Sequence, residues 1–244
     1  MRKLLMAAGL AVAAGLAFQA QRKPAVPADP LLAGFARTTV ASVSDAVDQI
    51  TGQRGYMNHD MQARVAGRVV GRATTALLRP ATPEQSTPAT AIKHAVEMID
   101  NAQPGQVGVI VVEDGIDMTG LGGLMATAAS ARGMAGMVID GSIRDVGEIR
   151  SLGLPVYARG LIPATAVGRY LSVSRDEPVT CAGVAVKPGD IIVGGEDGVV
   201  VVPAARAREV LAKAREIDEK ESKMAPFIQR FRSLTKAIES FNRI

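Results

Sequence analysis

A chain of 244 residues is long enough for one large domain with its own core, and 48% apolar against 21% charged residues excludes a disordered protein. Arg2, Lys3, Arg22 and Lys23 precede the segment expected to fold and carry as much charge as the net +4, so the remaining chain is nominally neutral and a nucleic-acid-binding body is excluded. Aromatic residues are 3% with no Trp, so Val, Ile, Leu, Ala and Met must build the core, and the one cysteine, Cys181, rules out an internal disulfide or a cysteine-rich zinc site.

Residues 1–20 have the form of an address. Arg2 and Lys3 make a basic head before an uncharged run over 4–18, the length of a secretory apolar region and shorter than the roughly 20 residues of a membrane span. Cleavage after Ala17 or Ala20 gives an exported, periplasmic protein; without cleavage the run is an inner-membrane anchor. A buried helix is the remaining alternative, although the run lacks polar residues for a solvent face, and the protein is then cytoplasmic. Residues 21–30 are Pro-rich and aperiodic, a semi-rigid linker.

A domain is expected over 31–222. Apolar spacing predicts a helix over 38–50 capped by Ser42 or Ser44, and then a strand pair or one bent strand over 65–78, with Gly67 and Gly71 marking bulges or close approaches. A helix over 89–101 leads through Gln103, Pro104 and Gly105 into VGVIVVED, a strand buried on both faces. A helix over 122–132 ends at Gly133 before a second buried strand, GMVID, and a helix over 146–152 precedes the strand PVYARG, a succession that signals crossover units. PVTCAGVAV, IIVGG and GVVVVP are short strands separated by KPGD and GEDG turns, which predict a second, antiparallel or mixed sheet beside the first. A charged helix follows over 204–222. Pro226 is placed to open a second amphipathic helix within 223–244, whose seam of Met224, Phe227, Phe231, Leu234, Ile238 and Phe241 folds back on the domain or docks on a neighbouring subunit.

Chemistry concentrates in residues 119–150. Gly120, Gly122 and Gly123 precede a helix, leaving backbone N–H groups suited to a carboxylate or phosphate; close packing alone also explains the glycines. A dinucleotide loop does not fit, because Met125 stands at the third glycine and residues 114–118 separate the loop from its strand. In DGSIRD, Asp140, Arg144 and Asp145 leave a sheet edge, where Arg144 can grip a carboxylate bidentately. Asp145 offers hard oxygen to a divalent cation, with Glu148 one turn on. The structural alternative stands beside this reading: Asp145 caps a helix and Arg144 pairs with Asp140. His59 and His94 are too far apart for a histidine-rich metal site and suit surface or capping roles, and no serine lies in a nucleophile motif.

The segments GGLMATAASARGMAGMVIDGSIRDVGEIRSLGLPVYARG and PVTCAGVAVKPGDIIVGGEDGVVVVP resemble the RraA-like family, which includes class II 4-hydroxy-4-methyl-2-oxoglutarate aldolases; TTVASVSDAV and RVVGRATT extend the resemblance over residues 37–221. The resemblance implies an α/β fold, a swivelling β/β/α sandwich with mixed sheets flanked by helices, assembled as a homotrimer or homohexamer with sites at subunit boundaries. For aldolase members it implies a small 2-oxo acid whose pyruvate unit binds Mg²⁺ or Mn²⁺. Carried onto this chain, Asp145 holds the metal, Arg144 neutralises the developing enolate, and the amides of Gly122, Gly123, Leu124 and Met125 hold the carboxylate. The same site would cleave an aldol or decarboxylate oxaloacetate. Other members bind and inhibit ribonuclease E without catalysis, a partner an exported chain does not meet. A membrane contact is expected only through the N-terminal segment.

Two departures bear on the metal. Gly123 stands where the aldolases carry an acid that helps hold the metal's water, and Gly195 replaces Asp while Glu196 and Asp197 remain. Asp114, Asp117 and Glu148 are candidates to compensate; Glu148, Asp140 and Glu196 are the supporting residues expected at the site.

Overall fold

The computed structural model describes residues 29–243. The proposed address at 1–20 and most of the linker therefore lie outside the described residues.

Order begins at Asp29, whose carboxylate accepts the N–H of Leu31 and caps a short helix, α1 (Pro30–Phe35), with Pro30 in the position that needs no N–H. The next helix, α2 (Val40–Thr51), is capped by Thr39, not by Ser42 or Ser44; the Thr39 hydroxyl accepts Ser42 N at 3.0 Å, and Ser42 is already inside the helix and buried.

Both alternatives for 65–78 are realised: a short strand β1 (Gln62–Val65), a turn at Gly67 with φ +151°, and a long bent strand β2 (Val69–Pro80). Gly71 marks a close approach, because a Cβ there would overlap the carbonyl oxygen of Gly105. The helix α3 (Lys93–Asp100) leads into β3 (Val107–Val112), every residue of which is buried. A three-residue strand β4 (Thr119–Leu121), helix α4 (Gly123–Ala131), buried strand β5 (Gly136–Ile143), helix α5 (Val146–Leu152) and strand β6 (Val156–Leu161) complete the crossover part. The second half of β2, with β3, β5 and β6, forms its parallel core, as the continuous apolar runs require.

The later strands depart from expectation. A strand not anticipated, β7 (Tyr170–Arg175), pairs with the end of β2. Only the hairpin of β8 (Val179–Cys181) and β9 (Val184–Val186) forms a separate sheet. The hairpin of β10 (Ile191–Gly195) and β11 (Gly198–Val202) instead extends the main sheet, giving nine strands with the path β1-β6-β5-β3-β2-β10-β11. The reason lies in the length of β2: its first four residues pair with β10 and its next six with β3, so one strand serves both halves. The sheet curls until Gly194 meets the Tyr157 ring, where an added Cβ would lie 3.0 Å from the ring carbons. The result is a nearly closed mixed sheet flanked by helices.

The curl encloses one apolar cluster, including Val69, Val107, Val138, Tyr157 and Ile192; a second lies under α3 to α5, and a third between α1, α2 and the β10–β11 hairpin. Each fully buried Val, Ile or Leu contributes about 1.5–3 kcal/mol. Cys181 is fully buried in the first cluster, as expected of a small hydrophobe, and burial pushes its thiol well up.

After a single 3₁₀ turn, α6 (Ala207–Phe231) runs straight through Pro226. Pro226 therefore does not open a new helix. Ser222 and Pro226 are both exposed, so the carbonyl that loses its intrahelical bond faces water. The break comes at Arg232, left-handed at φ 50°, after which Ser233 caps α7 (Leu234–Phe241). The Phe seam folds back within the chain: Phe227 lies 4.6 Å from Phe231 and 5.6 Å from Phe241, ring centre to ring centre. Among the described residues no helix is long and apolar enough to cross a membrane.

Candidate functional site

Strand β4 pairs with the last residues of β5, Thr119 opposite Ser142 and Leu121 opposite Ile143, and Arg144 N donates to Leu121 O at 3.1 Å. This pairing sets the turn into α4 beside the turn into α5. The glycine segment and the Arg144–Asp145 pair are thereby brought together.

Glycine is needed at 122 for space: a Cβ there would lie 3.0 Å from Asp145 Oδ2 and 3.1 Å from Arg144 Nε. Asp145 sits at the head of α5 in the left-handed region, φ 58° and ψ 36°, a conformation that Asp tolerates better than most side chains. It makes no cap bond to its own helix. Its Oδ2 instead accepts the N–H of Gly123, 2.9 Å away, at the positive end of α4.

The structural alternative for Arg144 fails. Its Nε lies 3.6 Å from Asp145 Oδ2, too long for a hydrogen bond, and is buried without a partner; no other hydrogen bond of its guanidinium is made among the described residues. Beside the pair is an open cavity of about 350 Å³ walled by Ile143, Arg144, Asp145, Val146, Leu161, Ile162 and Pro163. The apolar wall from β6 was not anticipated, although the run LIP after PVYARG carried the signal. Leu161 is 56% exposed and Leu124, at the start of α4, 89%.

Asp140 does not join the site. At Gly141, with φ +153°, the β5–β6 register shifts, and Asp140 turns to the other side. There its carboxylate accepts from Arg159 Nη1 at 3.0 Å and from Ala182 N at 2.5 Å, while Arg159 also donates to Asp60. This network borders a second cavity of about 690 Å³, which includes Asp114. Glu196 is likewise elsewhere: it lies in the β10–β11 turn, where its charge helps raise the Tyr157 hydroxyl, which burial pushes up to about 12. Asp117 is exposed on the β3–β4 connection and walls neither cavity.

None of the amides expected to hold a carboxylate, from Gly122 to Met125, belongs to a residue walling the cavity beside Arg144. Gly123 N is committed to Asp145, whereas the N–H groups of Leu124 and Met125 meet no acceptor among the described residues. Glu148, in the first turn of α5, is exposed and its carboxylate has no partner there either. His94 pairs with Glu97 on α3, and neither histidine walls the cavity beside Arg144 and Asp145.

Among the described residues no three His, Cys, Asp or Glu side chains converge, so no all-protein cage exists. Asp145 Oδ1 and the Glu148 carboxylate remain as uncommitted hard oxygens one turn apart. That donor set fits a cation such as Mg²⁺, which takes one or two carboxylates and keeps several waters or substrate oxygens.

Residues 40–201 match the family model described as Aldolase/RraA. The chain is 36% identical over 118 residues to a Halalkalibacterium halodurans protein named "Putative 4-hydroxy-4-methyl-2-oxoglutarate aldolase", covering 47% of this chain and 54% of that protein. Across three curated relatives the matched stretch spans 61%, 32% and 54% of the relative's own length. Among solved structures, an uncharacterized protein of Pseudomonas syringae superposes with a TM-score of 0.77 at 28% identity over 89% of this chain and 97% of that one. RraAS2 of Streptomyces coelicolor, described as an unusual member of the RNase ES inhibitor RraA protein family, gives 0.71 at 29% identity over 80% and 96%. The family model covers about two thirds of the chain and the whole fold superposes on these structures, so the chain belongs to the RraA-like family.

Proposed function

We propose that the protein is a carbon–carbon lyase that releases pyruvate from a small 2-oxo acid, by retro-aldol cleavage of a 4-hydroxy-4-methyl-2-oxoglutarate type of substrate or by decarboxylation of oxaloacetate. The observation that carries this reading is Arg144: a guanidinium without a hydrogen-bond partner among the described residues, at an open cavity, next to a carboxylate pinned to a helix N-terminus.

A divalent cation, Mg²⁺ or Mn²⁺, when bound by Asp145 supplies positive charge that polarises a carbonyl. The chain's own groups do the rest. The Leu124 and Met125 N–H groups receive the substrate carboxylate, and Arg144 neutralises the oxygen on which charge grows. Leu161, Ile162 and Pro163 pack against the carbon skeleton and exclude water from one side, which strengthens each of these interactions. As the C–C bond breaks, its electron pair passes into the pyruvate enolate; the other fragment leaves as CO₂ or, in the retro-aldol, as a second carbonyl compound whose hydroxyl proton passes to water, and the enolate carbon then takes up a proton from water.

The same proposal includes a homotrimer or homohexamer, in which a neighbouring copy closes the open side at Leu161 and Pro163, and export or inner-membrane anchoring through residues 1–20. The test is pyruvate release from both substrates by the purified chain. A non-catalytic regulator of the ribonuclease-inhibitor type is the second reading, favoured by the likeness to RraAS2, and it is what remains if neither substrate is turned over.

A further inference from the structure

We infer that Glu148 is a positioning residue for the cation and its water at this site, and that glycine at 123 is what admits it; this rests on the reading of Asp145 as the metal ligand. A Cβ built on Gly123 would overlap Glu148 Oε2 and lie 3.3 Å from the Cβ of Asp145. In its present rotamer the Glu148 carboxylate therefore occupies the volume that a side chain at 123 would enter, beside the Cβ of Asp145.

Charge gives the second step. Asp145 and Glu148 are three residues apart at the first turn of α5, and the Glu148 carboxylate has no hydrogen bond or ion pair among the described residues. On α6 the acids are paired instead: Glu209 holds Arg206, Glu216 holds Lys213 and Lys220, and Glu219 holds Lys223. Neighbouring carboxylates repel, and a divalent cation held by both reverses the sign of the interaction. Arg144 does not do this for Glu148, since no contact joins them.

Geometry assigns the two acids different tasks. Asp145 has one oxygen fixed by Gly123 N and the other uncommitted, so it presents a rigid ligand. Glu148, on a longer stem and exposed to solvent, reaches the same space from outside and orients water on the cation. A carboxylate borne at 123 itself would do the same work from the same volume.

The test uses the full purified chain and Mn²⁺ alone, with binding read from the free-ion signal in electron paramagnetic resonance and folding from thermal melting without metal. Glu148→Gln should weaken Mn²⁺ binding about 10- to 100-fold with no change in melting. Gly123→Asp placed on Glu148→Ala, which empties the shared volume, should bind Mn²⁺ nearly as the parent does. If Glu148→Gln binds Mn²⁺ like the parent while Asp145→Asn does not, Glu148 is idle and the inference is overturned with the metal reading intact. A folded double variant that stays weak overturns the shared-volume argument. If the parent fails to bind Mn²⁺, or Asp145→Asn binds equally well, the metal reading fails and takes this inference with it.

Discussion

The Asp145 carboxylate accepts the backbone N–H of Gly123 at 2.9 Å, joining the head of α5 to the head of α4. One side chain thus does two things, tying the turns together and lining the cavity beside Arg144.

Those two tasks separate by mutation. Asp145→Asn keeps an acceptor for Gly123 N and should melt within a few degrees of the parent while losing metal-dependent turnover. Asp145→Ala loses the acceptor and puts Ala at φ 58°, which should cost about 2–3 kcal/mol in denaturant unfolding. Asp145→Gly should recover about 1 kcal/mol of that without recovering activity.

Arg144→Lys should leave stability unchanged, because the guanidinium makes no hydrogen bond among the described residues, yet lower kcat about 10²- to 10³-fold, because an ammonium lacks the planar fork. Steady-state kinetics with parallel melting curves check this. A large loss of stability would show that Arg144 is a structural residue after all.

Gly122 and Gly147 form a matched pair for a spacing test. Gly122→Ala places a methyl 3.0 Å from Asp145 Oδ2 and 3.1 Å from Arg144 Nε, and should lower kcat/KM about tenfold or more by displacing both. Gly147→Ala meets nothing within 4 Å and lies inside α5, so it should raise stability by up to about 1 kcal/mol with activity intact.

Tyr157 gives the pH dependence. Its hydroxyl donates to Gly67 O at 2.7 Å, and burial raises its pKa from the usual 10 to about 12. A folded-state pKa above the unfolded one means stability that is complete below pH 10 and lost as pH rises to about 12. Tyr157→Phe should cost about 1 kcal/mol at neutral pH and flatten the decline over that alkaline interval, as read from urea unfolding.

The crossover half of the fold was legible because β3 and β5 are buried on both faces and write continuous apolar runs, VGVIVV and GMVIDGSI, between helical segments. The placement of β10–β11 was not, since IIVGG and GVVVV read the same whether they form a new sheet or extend an old one; the length of β2 decides it. Pro226 misled for a local reason, as a proline on an exposed helix face loses a bond that water replaces. At the site, Arg144, Asp145 and the glycines were legible as a cluster because they lie close in sequence. Asp140 was misplaced because one glycine, Gly141, turns the strand between them, and the Gly123–Glu148 exclusion is a fact of volume that residue types do not carry.

The central claim is tested most directly by incubating the purified chain with 4-hydroxy-4-methyl-2-oxoglutarate and with oxaloacetate, and following pyruvate with Mn²⁺ present and with the metal chelated. Pyruvate released from at least one substrate in Mn²⁺, and abolished by chelator and by Asp145→Asn alike, is the predicted result. No pyruvate from either substrate, or release indifferent to both chelator and Asp145→Asn, would contradict it.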